Sequence, residues 1–316
     1  RHGDRIDRRH SKNQSKNWTG ADGYRHWHCA HSAGTPTGCS LAILATAAGG
    51  GEQVAARSIL TADAQPAVGR MEFEMRVLVI SDIHGNRTAL ETVLEDAGKV
   101  DAVWCLGDII GYGPDPTDCM AIIRDLPGLI CLRGNHDSAV IGLTEKAKFN
   151  YAAQEVLQWT ADQLNPTHHH YLKQLQPVQE FEGITLAHGS PRDPIWEYIM
   201  DIYTAQANFE YFSTANCFVG HSHLPVVYTL SENNGQARVD FCKDHQSLSL
   251  TGKTIANPGS VGQPRDHDPR AAYAIYDGEK NRWTQHRIAY DIEAVQRRMS
   301  LAGLPREYIQ RLDLGW

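Results

Sequence analysis

Apolar and polar positions alternate in blocks along most of the chain, and the blocks change period. Met75–Ser81 is a continuous apolar run closing on polar groups, the pattern of a strand buried on both faces. Ala102–Leu106 and Leu129–Leu132 repeat it. Between them, Asn86–Ala97 carries Leu90, Val93 and Leu94 at helical spacing with Gly98 as its stop, and Pro116–Leu126 reads as a second helix. Strand and helix alternating at this spacing predict βαβ units, hence an α/β fold.

Residues 145–176 predict a helical block whose apolar positions are Tyr151, Val156, Leu157, Trp159 and Leu164, divided by Pro166. It reads as an insertion packed on the functional face. After Ile184–Ala187 the runs shorten: Cys217–Val219, Pro225–Leu230, Ser247–Leu250, Lys253–Ala256, Ala271–Tyr276 and Arg282–Ile288, several joined by turn residues such as Asp277-Gly278. That meander predicts mixed sheets, and Asp291–Leu301 predicts a closing helix.

The first 70 residues lack sustained periodicity. Their one apolar run, Leu41–Ala48, is eight residues, far short of the ~20 that span a bilayer. The expectation is a native start at Met71 or Met75, with residues 1–70 a disordered or non-native extension and 71–316 the folded domain. His26, His28, His31 and Cys29 match no standard zinc spacing.

Composition narrows the class. The 316 residues are 41% hydrophobic and 21% charged, as in a soluble globular protein. The formal net charge is −7; residues 1–70 carry +4 and residues 71–316 carry −11. An acidic body without a basic stripe argues against nucleic acid as a partner, and no membrane span is expected. Seven cysteines without a Cys-x-x-Cys pair read as reduced core thiols of a cytoplasmic protein.

Candidate chemistry lies in five segments: Asp82-Ile83-His84-Gly85-Asn86, Leu106-Gly107-Asp108, Arg133-Gly134-Asn135-His136-Asp137, His188-Gly189 and Gly220-His221-Ser222-His223. Each sets carboxylate, imidazole or amide oxygen beside glycine, and most follow a strand-like run. Such donors converging from separate strand ends suit a pair of metal ions that activates water and clamps phosphate. In an extended backbone, residues two apart share a side, so Asp82 with His84, and His221 with His223, are expected to reach one ion each. Gly107 and Gly134 would let the backbone approach the ions. His168-His169-His170 reads as a solvated helix face, and His245, His267 and His286 as surface or structural groups.

The ordered set resembles the calcineurin-like metallophosphoesterase superfamily, whose blocks read Asp-x-His, Gly-Asp, Gly-Asn-His-Asp/Glu, His and Gly-His-x-His. Gly107–Pro116, His188–Pro194 and Asn257–Gly262 resemble a bacterial phosphodiesterase-like subgroup. The resemblance covers about residues 75–290. It implies two mixed sheets packed as a sandwich flanked by helices, and two divalent ions from among Mn, Fe, Zn, Co and Ni.

By the same resemblance, Asp82, His84 and His223 hold the first ion, Asn135, His188 and His221 the second, and Asp108 bridges them. His136 serves the leaving oxygen, with Asp137 as a candidate to orient its ring. The implied activity is hydrolysis of small phosphodiesters or phosphomonoesters by metal-activated hydroxide. Alternatives are a protein Ser/Thr phosphatase, a dinucleoside tetraphosphate hydrolase, or a scaffold without activity. The Asp-Arg pair of protein phosphatases is missing after Gly107-Asp108, which lowers the first two. Arg133 is then the candidate phosphate cation. Tyr112, Arg192, Trp196, Tyr198 and Arg265 are assigned to specificity by position.

Overall fold

A computed structural model of the chain describes residues 75–316. The expectations for residues 1–70, including the His26–His31 cluster, lie outside the described residues.

Strand β1 (Arg76–Ile80) leads to α1 (Arg87–Ala97), β2 (Ala102–Cys105), α2 (Pro116–Arg124), β3 (Ile130–Cys131) and α3 (Asn135–Val140). The helical block follows as α4 (Tyr151–Gln163) and α5 (Pro166–Gln174), split at Pro166 as the sequence predicts. Then come β4 (Val178–Phe181), β5 (Ile184–Ala187), α6 (Ile202–Asn208), β6 (Asn216–Val219), β7 (Pro225–Leu230), β8 (Ala237–Phe241), β9 (Ser247–Ser249), β10 (Lys253–Pro258), β11 (Ala271–Asp277), β12 (Arg282–Ile288), α7 (Ile292–Leu301) and α8 (Arg306–Leu314). Among the described residues no helix is long and apolar enough to cross a membrane.

The strands form two six-stranded mixed sheets, ordered β3-β2-β1-β11-β12-β9 and β4-β5-β6-β10-β7-β8. In the first, β1, β2 and β3 run parallel, with Ile80 opposite Cys105 and Cys105 opposite Cys131. In the second, β5, β6 and β10 run parallel. The pleat sends alternate residues to opposite faces. Val77, Val79, Trp104 and Trp283 meet Leu186 and Phe218 between the sheets. Leu78, Ile80 and Val103 turn outward against Leu90, Val93, Met120 and Ile123 of the helices. Trp104, Trp283 and Phe218 are fully buried, each worth ~1.5–3 kcal/mol of transfer free energy or more. Phe209 and Phe212 cover the outer face of the second sheet. The result is a sandwich flanked by helices.

Caps explain several boundaries. Asn86 accepts the Ala89 amide at 3.1 Å, Asn165 accepts Thr167 and His168 at 3.0 Å, and Asp291 accepts Ala294 at 2.9 Å. His168 completes a capping box with Asn165, and His170 meets Gln174 at 3.0 Å one turn on. Arg298 of α7 pairs with Asp115 at 2.8 Å, tying the closing helices to the loop before α2.

Candidate metal centre

All of the predicted ligands leave the C-terminal ends of parallel strands. β1 delivers Asp82 and His84, β2 delivers Asp108, β3 delivers Asn135 and His136, β5 delivers His188, and β6 delivers His221 and His223. Strand ends in open parallel sheets form crevices of this kind. Hydrogen bonds carry the register past the strands: Leu106 N–H to Ile80 O at 2.8 Å, Asp82 N–H to Gly107 O at 3.0 Å, His84 N–H to Asp108 O at 2.9 Å, and Gly220 N–H to His188 O at 2.8 Å.

The backbone there is not extended, contrary to the two-residue alternation argument. Asp82, His84, Asp108, His221 and His223 have φ of 53°, 50°, 53°, 64° and 60°. These five side chains converge because their loops turn through the left-handed region, at a cost of ~1–3 kcal/mol per strained residue. The surroundings hold these turns. Asp82 Oδ2 accepts the His221 amide at 2.9 Å, and Asp108 Oδ1 accepts the His136 amide at 2.9 Å. Gly134 has φ −88° and ψ −175°, which any residue adopts; it must be glycine because a Cβ would overlap the Asp108 carboxylate.

The seven predicted ligands are all nearly completely buried, at 0–3% exposure. Three sets of donor atoms each converge within 4.8 Å: Asp82, His84 and His223; Asp108, His188 and His221; and His84, Asp108 and His136. Asp108 Oδ2 lies 3.7 Å from His84 Nε2 and 3.5 Å from His188 Nε2, so one carboxylate reaches both of the first two sets.

Hydrogen-bond roles test whether these donors fit cations. His84, His188 and His223 each turn Nδ1 to a main-chain carbonyl, at Ile110 (3.4 Å), Leu106 (2.9 Å) and Gln263 (2.5 Å). Such bonds place the proton on Nδ1 and leave the Nε2 lone pair facing inward, the tautomer a metal takes. His84 Nε2 then faces His223 Nε2 at 3.1 Å, and His188 Nε2 faces Asn135 Oδ1 at 3.1 Å. Asp82 Oδ1, Asp108 Oδ2 and His221 Nε2 are buried without any hydrogen-bond partner. Lone pair against lone pair, and buried acceptors without donors, are costly unless a cation lies among them. The donor set therefore fits divalent metal.

Electrostatics agree. Burial, then the charges of Asp137 and Asp82, push the Asp108 carboxyl well above its usual range. Burial opposes ionisation of Asp82, but His223, His188 and His84 around it hold it well below. Burial holds His84, His136 and His221 well below the ordinary imidazole range. His223 is lowered by burial and then by Arg265.

His136 sits at the start of α3 beside this centre. Its ring packs against His84 (4.8 Å), Tyr112 (4.4 Å) and Phe149 (4.9 Å), and Nδ1 has no hydrogen-bond partner. Asp137 does not orient it. The Asp137 carboxylate accepts the amides of Gly134, Ile110 and Ile109 at 3.0, 3.2 and 3.4 Å, pinning the β2 loop to the β3 loop.

Arg133 also departs from the sequence reading. Its guanidinium donates to the carbonyls of Leu175 (2.6 Å), Lys173 (3.3 Å) and Leu172 (3.4 Å) and to Ser138 Oγ (3.1 Å). Through one terminal nitrogen it closes the C-terminal end of α5, where orphan carbonyls attract cations, and Nε is held by Ser138. Arg192 is likewise held by Glu197.

The remaining positional guesses fall around the centre. Tyr112 lies 4.7 Å from the His84 ring, Tyr198 stacks on His221 at 3.8 Å, and Trp196 meets Phe149 at 5.3 Å. Phe149, leading into α4, brings the helical block to His136. Ser260 and Gln263 are functional supports that the sequence reading passed over. Ser260 Oγ donates to Asp82 O at 2.7 Å and accepts the Gln263 amide at 2.8 Å, and Gln263 O in turn takes the His223 Nδ1 proton. The sequence signal for Ser260 is the segment Asn257–Gly262, which stops one residue short of Gln263.

The chain matches the model of the calcineurin-like phosphoesterase superfamily domain over residues 75–281. It is 35% identical over 246 residues to an uncharacterized protein of Methanocaldococcus jannaschii, covering 76% of this chain and 98% of that protein. A metallophosphoesterase from Sphaerobacter thermophilus superposes with a TM-score of 0.71 at 44% identity, covering 77% of this chain and all of that one. A symmetrical bis(5′-nucleosyl)-tetraphosphatase of Thioalkalivibrio sulfidiphilus is 29% identical over 73 residues, 22% of this chain and 27% of that protein. With this donor set at the strand ends of a two-sheet sandwich, the chain belongs to the calcineurin-like phosphoesterase superfamily and is a hydrolase of phosphoric ester bonds.

Proposed function

We propose that this protein hydrolyses small phosphodiesters or phosphomonoesters at a centre of two divalent ions. The observation that carries the reading is the set of inward donor atoms without partners, Asp82 Oδ1, Asp108 Oδ2 and His221 Nε2, beside two facing imidazole nitrogens. Asp82, His84 and His223 would hold one ion, Asn135, His188 and His221 the other, and Asp108 would touch both. Mixed imidazole, carboxylate and amide donors favour Mn, Fe, Co, Ni or Zn over calcium. Ions bound there would supply an activated water and neutralise charge on a phosphoryl group.

The chain's own residues do the rest. Tyr112 and Phe149 pack on the His136 ring, with Trp196 against Phe149, and His136 would give or share a proton with the departing oxygen. We place the protein in the cytoplasm, supported by five free cysteines among the described residues, two of them opposite each other on β2 and β3.

Manganese- or zinc-reconstituted protein assayed on bis-p-nitrophenyl phosphate and p-nitrophenyl phosphate tests the reading. Turnover of either that vanishes with chelator and with Asp108→Ala supports it. No turnover of either by fully metallated protein would sink it. The partial likeness to a dinucleoside tetraphosphatase makes diadenosine tetraphosphate the second substrate to assay.

A further inference from the structure

Arg133 and Arg192 are held by protein partners, Leu175 O and Glu197, and a third arginine, Arg265, lies against Tyr112 beside the donor set. Arg265 lies in the loop between β10 and β11, seven residues beyond the last strand residue, Pro258. That loop is stitched to the ligand loop of β1: Val261 N–H donates to Ser81 O and Gly262 N–H to Asp82 O, both at 3.0 Å, and Asn86 Nδ2 donates to Gly262 O at 3.1 Å. Gln263 and Arg265 are therefore placed by the same contacts that place Asp82.

The guanidinium lies over a ring that borders the centre. Its carbon lies 5.9 Å from the centroid of Tyr112, whose ring touches both His84 and His136. It also stands beside the hydroxyl of Tyr198, the ring stacked on His221. One terminal nitrogen donates to Gln263 Oε1 at 3.3 Å, whereas Nε is buried and has no partner. The two carboxylates that follow in the loop are already engaged, Asp266 by Arg287 and Asp268 by Arg270 at 2.7 Å. No carboxylate among the described residues pairs with Arg265. A half-buried guanidinium that no carboxylate neutralises, beside a set of donors suited to anion chemistry, can receive an oxygen anion.

We infer that Arg265 binds the phosphoryl group of the substrate through its guanidinium. The identity of the anion rests on the phosphoesterase reading above. The assignment also explains how the site recognises phosphate without the arginine that protein phosphatases carry after Gly-Asp.

The test measures inorganic phosphate binding by calorimetry on the manganese-reconstituted full chain, as wild type, Arg265→Ala and Arg265→Lys, with metal content in parallel. Phosphate should bind about tenfold or more weakly in both variants, because lysine keeps the charge but not the fork. Metal content should be unchanged. The kcat/KM for bis-p-nitrophenyl phosphate should fall ~10²–10³-fold in Arg265→Ala, the scale of a lost transition-state donor. Guanidinium added to the assay should restore part of it in Arg265→Ala alone. Equal phosphate affinity in all three proteins, or none in the wild type, overturns the assignment. If both esters go unhydrolysed while phosphate binding still depends on Arg265, the hydrolase reading fails and the receptor stands. If the alanine variant does not fold, the lysine variant decides alone.

Discussion

Gly134→Ala isolates the geometry on which the centre depends. Alanine suits the backbone at φ −88° and ψ −175°, so no conformational strain enters. The added Cβ would overlap Asp108 Oδ1 and lie 2.6 Å from both Asp108 Cγ and Asp108 N. A carbon contact needs about 3.5 Å, so the carboxylate, the β3 loop or both must move by about 1 Å. Overpacking of this kind costs ~1–3 kcal/mol, and loosening the 2.9 Å bond from the His136 amide to Asp108 adds a cost of about the same size.

A displacement of about 1 Å at a reacting centre lowers kcat by ~10². Gly142→Ala is the control. Its φ of 73° imposes ~1–2 kcal/mol of backbone strain, but nothing lies within 4 Å of its would-be Cβ. Thermal melts, metal content and kcat on bis-p-nitrophenyl phosphate are measured for both. Gly134→Ala should lose bound metal and activity, and Gly142→Ala stability alone. Wild-type kcat and metal content in Gly134→Ala would refute the claim that this contact sets the Asp108 position.

The remaining expectations concern the same loops. His136→Asn should lower kcat by ~10²–10⁴ with metal content nearly intact, checked by steady-state kinetics and elemental analysis. Asp137→Asn keeps the shape but replaces one acceptor oxygen with a donor opposite backbone N–H groups; metal affinity should weaken ~10–100-fold, read by competition with a chromophoric chelator. Chelated protein should melt lower than metallated protein, and its stability should fall further as pH drops below 6.5. There the unfolded chain protonates imidazoles that the fold keeps neutral at His84, His136, His221 and His223, outnumbering the opposite effect of the raised carboxyls Asp108 and Asp137. Melting temperatures of chelated protein from pH 5 to 8 check the sign; a rise toward pH 5 would contradict it.

Much of the fold was legible because its inner strands are buried and apolar. Pro225–Leu230 and Arg282–Ile288 are strands with the boundaries their patterns suggest, and Pro166 divides α4 from α5. β4 and β8 were missed because they are outer strands of the second sheet, where exposure removes the apolar pattern; all four residues of β4 are exposed. α3, α6 and α8 were missed as well. α3 has six residues and α6 seven, too short for a 3.6-residue period to show. The convergence of the candidate donors was legible because metal chemistry restricts donor types so narrowly that five short segments in order carry it.

What the residue order alone determined is therefore which side chains can ligate and which strands precede them. Only the tertiary structure decided how they converge and what each nearby arginine holds. Convergence comes from left-handed turns at Asp82, His84, Asp108, His221 and His223, which polypeptide adopts only when hydrogen bonds from other strands compensate their strain. The contacts of Arg133 and Arg265 likewise depend on what competes for each guanidinium. α5 presents free carbonyls to Arg133, whereas the carboxylates next to Arg265 are occupied by Arg287 and Arg270. Competition between partners far apart in the chain exists only once the chain is folded.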